Sequence, residues 1–288
     1  MSRGLLISTP VSRVRSLLED RMSVSTRRFV KRTLARAHLM VTVGRGCAVD
    51  NIYHLSVQKA GSQWIKEVFN DRRVRRYSGL VTYPQHAYEM GEFRERFPRR
   101  TYVPGLYMSY ELYGKIRKPK TYRTFAVIRD PRDVVVSWYH SALETHRLMG
   151  RIGVHREALK SMSQEEGLHY SMEYLAPKFA EMRTWAFNAV DPALRVLKFE
   201  DLIETPFSQF QGLFEHCGIP LPDAVLRDVL DDYTKTKLRE RDMKRRLAKS
   251  ESHYRKESSS HRAAFTPGHH DHFREIAGNL VEYLGYAP

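Results

Sequence analysis
Two short stretches of this sequence hold residue types that can grip an anion. The first is Gln58-Lys59-Ala60-Gly61-Ser62-Gln63-Trp64, set between an apolar run and a segment of helical spacing. A helix beginning there aims unpaired N–H groups and the positive end of its dipole at whatever rests on the loop. Gly61 allows close backbone approach, and Lys59 adds a full charge. The nucleotide loop Gly-x-x-x-x-Gly-Lys-Ser/Thr is absent, since this lysine precedes a single glycine. Taken by itself, the stretch also fits an ordinary strand-to-helix turn.

The second stretch is Arg129-Asp130-Pro131-Arg132-Asp133-Val134-Val135-Val136-Ser137. A guanidinium fork matches a phosphate, and Arg129 follows an apolar run, at the strand end where open α/β sheets bind ligands. Ser137 comes two helical turns later and can offer its hydroxyl to the same anion. The alternative is that Arg129 pairs with Asp130 or Asp133 while Ser137 packs. Two anion-competent loops in one sheet suggest a ligand phosphorylated at both ends.

The elements that must carry these loops follow from periodicity. Ile52 to Val57 reads as a buried strand, and Ser62 as the cap of a helix whose Trp64, Ile65, Val68 and Phe69 recur at helical spacing. Phe125 to Ile128 reads as a second strand, Asp130-Pro131 as the turn, and a helix follows from Pro131. Two strand-loop-helix units imply a parallel sheet. Between them, residues 84–97 read as helical, Thr101 to Met108 as extended and Tyr110 to Ile116 as helical. Beyond them, Ser163 to Val190 reads as a long helix broken or kinked near Pro177, and Leu194 to Phe199 as a strand. Helices are expected over Phe207 to Cys217 and Asp223 to Asp231, then an exposed charged helix and flap over Lys235 to Lys256. One final helix is expected from Thr266 to Leu284, with Gly285 as its stop.

Composition excludes several classes. Of 288 residues, 42% are hydrophobic and 28% charged, which suits a folded globular chain and excludes a disordered one. Lysine and arginine number 48 against 33 acidic residues, a net +15. Residues 1–46 hold ten of those cations against only Glu19 and Asp20. This basic N-terminal extension is expected to precede a domain over 47–288. It reads as a solvated helical extension packed on that domain, with an organellar transit peptide and an anionic-membrane or nucleic-acid patch as the alternatives. Cys47 and Cys217 form neither a disulfide framework nor a zinc pattern, and no apolar run reaches spanning length. A soluble cytoplasmic protein is the expectation.

Together the motifs Lys-x-Gly-Ser/Thr-x-Trp and Arg-x-Pro-Arg/Lys-Asp-x-x-x-Ser resemble the two cofactor motifs of sulfotransferases that use 3′-phosphoadenosine 5′-phosphosulfate. The resemblance runs from about Ile52 to Tyr286, with Lys198-Phe199-Glu200-Asp201 similar to the family's Tyr-Glu-Asp and Arg255-Lys256 before Phe265-Thr266 similar to its Arg-Lys-Gly to Phe-Thr segment. It implies an α/β fold with a central, mainly parallel sheet flanked by helices, like that of the P-loop nucleotide hydrolases. It implies that Lys59, Ala60, Gly61, Ser62 and Gln63 hold the 5′-phosphosulfate and that Trp64 stacks on adenine. Arg129 and Ser137 would hold the 3′-phosphate, Phe199 would stand where a tyrosine frames the adenosine, and Arg255 and Lys256 would add charge. The expected reaction is sulfuryl transfer to a hydroxyl or amine of a small-molecule, carbohydrate or lipid acceptor, with no metal. Lys59 would neutralise the charge that grows on the leaving group. The family's Thr-His-x-Pro histidine has no counterpart; Tyr102, in Thr101-Tyr102-Val103-Pro104, stands in its place. A base is still needed, and His86 is preferred over Tyr102, Glu89 and Glu111, since histidine titrates at about 6.5 and tyrosine at about 10.

Two rivals are an ATP-dependent phosphotransferase, which the missing nucleotide loop disfavours, and a non-catalytic protein binding nucleic acid or an anionic surface through the basic arm. No nucleic-acid partner is expected; contact of the arm with an anionic membrane is one reading of its charge. The run Gly268-His269-His270-Asp271-His272 reads as a solvated first turn and not a metal site. Tyr107, Tyr110 and Tyr113 read as core or the rim of an acceptor pocket.

Overall fold
A computed structural model describes residues 46–83, 96–146, 151–245 and 260–288. Its first strand, β1 (Asn51–Ser56), is buried at every position. Strands covered on both faces are continuous runs of this kind. The polar members of the run are partnered: Asn51 Nδ2 donates to Tyr53 Oη at 3.1 Å, and His54 Nδ1 meets Tyr102 Oη at 3.0 Å. Helices α1 (Ser62–Asn70) and α2 (Arg72–Ser78) lead to the short β2 (Val81–Thr82). Then come β3 (Thr101–Leu106), α3 (Tyr110–Gly114), β4 (Tyr122–Ile128) and α4 (Pro131–His140), which runs on as a π-helical turn over Ser141–Thr145. After α5 (Ile152–Lys160) and α6 (Gln164–Phe187), β5 (Leu194–Lys198) completes the sheet.

The sheet is five-stranded, in the order β2-β3-β1-β4-β5, and every pairing is parallel. The expected parallel α/β architecture is therefore present. With all strands running one way, their carboxyl ends share one edge, and the loops after β1, β3, β4 and β5 are neighbours there.

The remaining elements are α7 (Phe199–Glu204), α8 (Pro206–His216), α9 (Asp223–Asp232), α10 (Lys235–Arg245), α11 (His261–Ala264), α12 (Pro267–Ala277) and α13 (Leu280–Tyr283). Several expectations are corrected. The helix is not broken at Pro177, because Leu168, Met172, Leu175, Phe179, Met182 and Trp185 bury one face of α6 along its whole length. That packing outweighs the one hydrogen bond that proline removes. The final helix is two, divided at Gly278, whose φ of 60° ends α12. Phe199 begins a helix and does not close the strand. Gly61, with φ of 75°, is the cap of α1, and Ser62 is its first helical residue. His269 is not solvated: it is 1% exposed, its Nδ1 accepts the Thr266 N–H at 2.9 Å, and its Nε2 lies 3.2 Å from the Glu165 carbonyl. Among the described residues no helix is long and apolar enough to cross a membrane. No group of three or more His, Cys, Asp or Glu side chains gathers as a metal site there. The basic extension over 1–45, the helix expected from residue 84 and the flap over 246–259 lie outside the described residues.

Candidate active site
The β1–α1 loop is built for close approach. Lys59 has φ of 70° and Gly61 φ of 75°, both left-handed, which turns the chain sharply into the helix. A glycine cap supplies no side-chain acceptor, so α1 begins with no side-chain cap bond. Ala60 is fully buried beneath the turn, Gln63 is exposed, and Lys59 is half-buried. A Cβ on Gly61 would stand 2.4 and 2.7 Å from ring carbons of Phe199. The glycine therefore allows the loop from β1 and the residue after β5 to touch.

Arg129 ties this loop to the next strand. It lies just past β4, and its Nη1 donates to the Lys59 carbonyl at 2.9 Å. Its guanidinium carbon sits 5.0 Å from the centre of the Phe199 ring. The side chain is 12% exposed, and its Nε is buried with no partner among the described residues. Burial pulls the Arg129 pKa down against the opposing pull of Asp133, Glu200 and Asp130. A desolvated guanidinium with an unanswered donor has the chemistry of a phosphate receptor.

The helix after it is held in place on all sides. Asp130 caps α4 through the Arg132 N–H at 2.9 Å, and the Arg132 guanidinium returns to both Asp130 oxygens at 3.1 and 2.8 Å. Arg132 also reaches the Ala287 carbonyl at 2.5 Å. Glu200 accepts the Asp130 N–H at 3.0 Å and the Tyr286 hydroxyl at 2.8 Å. Ser137 is partly exposed one turn below Asp133, on the same face of α4, and its hydroxyl has no partner among the described residues. Trp64 is partly buried and packs edge-on against Phe210 at 5.3 Å, with its Nε1 buried and without a partner among the described residues.

The structure thus brings Lys59, Ala60, Gly61, Ser62, Arg129 and Phe199 together at the carboxyl edge. It separates Tyr102 from them. Tyr102 pairs with Ile52 early in the strands, is 1% exposed, stacks on Phe69 at 4.3 Å and bonds buried His54. Four residues of strand, roughly 13 Å, divide it from the edge. Tyr102 is a core residue, and its assignment as the catalytic tyrosine is corrected accordingly. The tyrosine that β3 delivers to the edge is Tyr107, whose hydroxyl is 2.8 Å from Ser62 Oγ. Glu111 is exposed on α3. His86, Glu89, Arg255 and Lys256 lie outside the described residues. Sequence reasoning placed Tyr107 only as core or rim, and it missed the contacts of Glu200, Tyr286 and His261 with the Arg129 loop. Of these, Tyr107 was marked by the tyrosine spacing and Glu200 by the Lys198-Phe199-Glu200-Asp201 string, whereas nothing in the sequence marked His261.

With this geometry in view, comparison with family models matches the sulfotransferase domain over residues 50–285. The chain belongs to the sulfotransferase domain family. Its fold is shared with mouse sulfotransferase SULT7A1 complexed with PAP, at TM-score 0.61 and 18% identity, covering 87% of this chain and 94% of that one. Retinol dehydratase in complex with androsterone and the inactive cofactor PAP is also similar, at TM-score 0.51 and 15% identity, covering 81% of this chain and 80% of that one. A further retinol dehydratase structure, complexed with retinol and PAP, matches to the same degree. At these identities the likeness is one of fold. No curated protein sequence matches the chain.

Proposed function
We propose that this sulfotransferase uses 3′-phosphoadenosine 5′-phosphosulfate as donor and passes the sulfuryl group to a hydroxyl or amine of a small-molecule, carbohydrate or lipid acceptor. The observation that carries it is the Arg129 guanidinium bonded to the Lys59 carbonyl, which joins the two anion loops into one site. The residues fit the donor: Arg129 Nε and Trp64 Nε1 are buried donors without partners among the described residues, and Gly61 lets the Phe199 ring pack directly against the loop. Bound there, the donor would supply an activated sulfuryl group on a phosphate leaving group.

Lys59 and the first-turn amides of α1 stabilise negative charge at the 5′ end, since the glycine cap gives those amides no side-chain cap bond. Arg129 and Ser137 hold the 3′-phosphate, and Phe199, packed on Gly61, walls the nucleotide pocket. Trp64 offers its ring face to the adenine. The acceptor's proton goes to a base. His86 is the candidate carried from the sequence, and Tyr107 is the hydroxyl next to Ser62 at the loop. No residue of this scheme calls for a metal.

Transfer of radiolabelled sulfuryl from the donor to a panel of phenols, sterols, sugars and lipids tests this. Wild type should label at least one acceptor class, and Lys59→Ala should lose about a hundredfold in rate, the cost of removing one donor from such a site. Phosphoryl transfer from ATP, or labelling that survives Lys59→Ala, would contradict it.

A further inference from the structure
Arg129 is ringed by three carboxylates, and an arginine so placed would ordinarily be quenched by one of them. Each of the three is occupied by another donor. Asp130 is gripped at both oxygens by Arg132, and Glu200 by the Asp130 N–H and the Tyr286 hydroxyl. Asp133 Oδ1 accepts two hydrogen bonds from one residue: the His261 backbone N–H and its ring Nδ1, both at 2.8 Å. Since a carboxylate only accepts, Nδ1 must carry a proton. The other oxygen, Oδ2, is left 3.9 Å from Arg129 Nη2, about 1 Å beyond a charge-assisted hydrogen bond.

His261 is 6% exposed and opens α11, so its backbone and ring are both fixed. Burial pushes the Asp133 pKa up, but the His261 hydrogen bonds and Arg129 more than offset it, so the group stays a carboxylate. It therefore competes for Arg129 whenever it is released.

We propose that His261 is a positioning residue for the 3′-phosphate: it holds Asp133 off Arg129 and so leaves that guanidinium open to an anion. This rests on the donor assignment above. His261 touches no nucleotide in this scheme; it acts through Asp133, which lies on the same helix face as Ser137.

The test is calorimetric titration of the full chain with 3′-phosphoadenosine 5′-phosphate and with adenosine 5′-monophosphate, which lacks the 3′-phosphate. His261→Ala should bind the first about tenfold more weakly and the second nearly unchanged, because only the 3′-phosphate competes with Asp133 for Arg129. His261→Asn should recover most of the loss, since its amide can donate where Nδ1 stood. On an Asp133→Asn background, His261→Ala should have no effect, as a neutral amide does not compete for the guanidinium. That last pair also decides the matter if His261→Ala alone does not fold. Equal losses for both nucleotides, no loss, or an undiminished effect on the Asp133→Asn background would overturn the proposal. Wild type that ignores the 3′-phosphate would overturn the donor assignment as well, whereas a 3′-phosphate preference that survives His261→Ala overturns this inference alone.

Discussion
Arg129 makes two contacts and withholds one donor: Nη1 fixes the Lys59 carbonyl, the guanidinium lies over the Phe199 ring, and Nε has no partner among the described residues, which suits the proposed phosphate ligand. Lysine could not replace it, having one compact charge and no fork. Residues of this kind were legible in the sequence because their chemistry and their place after an apolar run are both local. The tyrosines show where that stops. The string Thr101-Tyr102-Val103-Pro104 pointed to Tyr102, yet β3 runs on to Leu106, and only a residue past its end reaches the site. Where a strand ends depends on its neighbours' lengths, and no motif records that. Tyr102→Phe should therefore remove the partner of His54 Nδ1 and cost roughly 1–3 kcal/mol in urea unfolding, leaving turnover per folded molecule unchanged. Loss of turnover at native stability would return Tyr102 to the site.

The element that matters most is α4. Asp130 caps it, Pro131 opens it, and Arg132, Asp133 and Ser137 lie on its first turns beside Arg129, where the 3′-phosphate is proposed to bind. Its start was legible, because Asp-Pro after a β-rich run is a local signal. What secures it was not: Glu200 lies 70 residues away from Asp130, and His261 lies 128 residues away from Asp133. Contacts at such separations exist only once the sheet has formed. Likewise Pro177 is the break that the sequence marks, but α6 is buried along its length and continues, whereas the unmarked break falls at Gly278, where φ turns positive and the helix stops. Asp130→Ala removes both the cap and the carboxylate that answers Arg132, itself 4% exposed. An unanswered buried guanidinium should make this variant roughly 3 kcal/mol less stable, measurable by thermal or urea unfolding. A change within a few tenths would mean that α4 is held by packing alone.

Across the whole molecule, the sheet gathers the ends of four strands on one edge and keeps its own centre dry. His54 lies in that centre, stacked on Phe125 at 4.5 Å, with Nε2 unpartnered among the described residues. Burial holds it neutral, lowering its pKa from 6.5 to about 3. Between those values the unfolded chain binds a proton that the folded chain refuses, so stability rises with pH across that window. Acidification should cost up to about 1.4 kcal/mol per pH unit below the free histidine value, and His54→Phe should flatten that slope in urea unfolding measured at successive pH values. An identical slope in both proteins would remove His54 as its source. The same architecture sets the central claim, that loops from β1 and β4 form one receptor for a nucleotide phosphorylated at both ends. Calorimetric titration with 3′-phosphoadenosine 5′-phosphate, beside ADP and ATP, tests it on wild type and Arg129→Ala. Wild type should bind tightly only when the 3′-phosphate is present and should lose that binding with Arg129→Ala; ATP bound as tightly, or binding indifferent to Arg129, would refute the shared receptor.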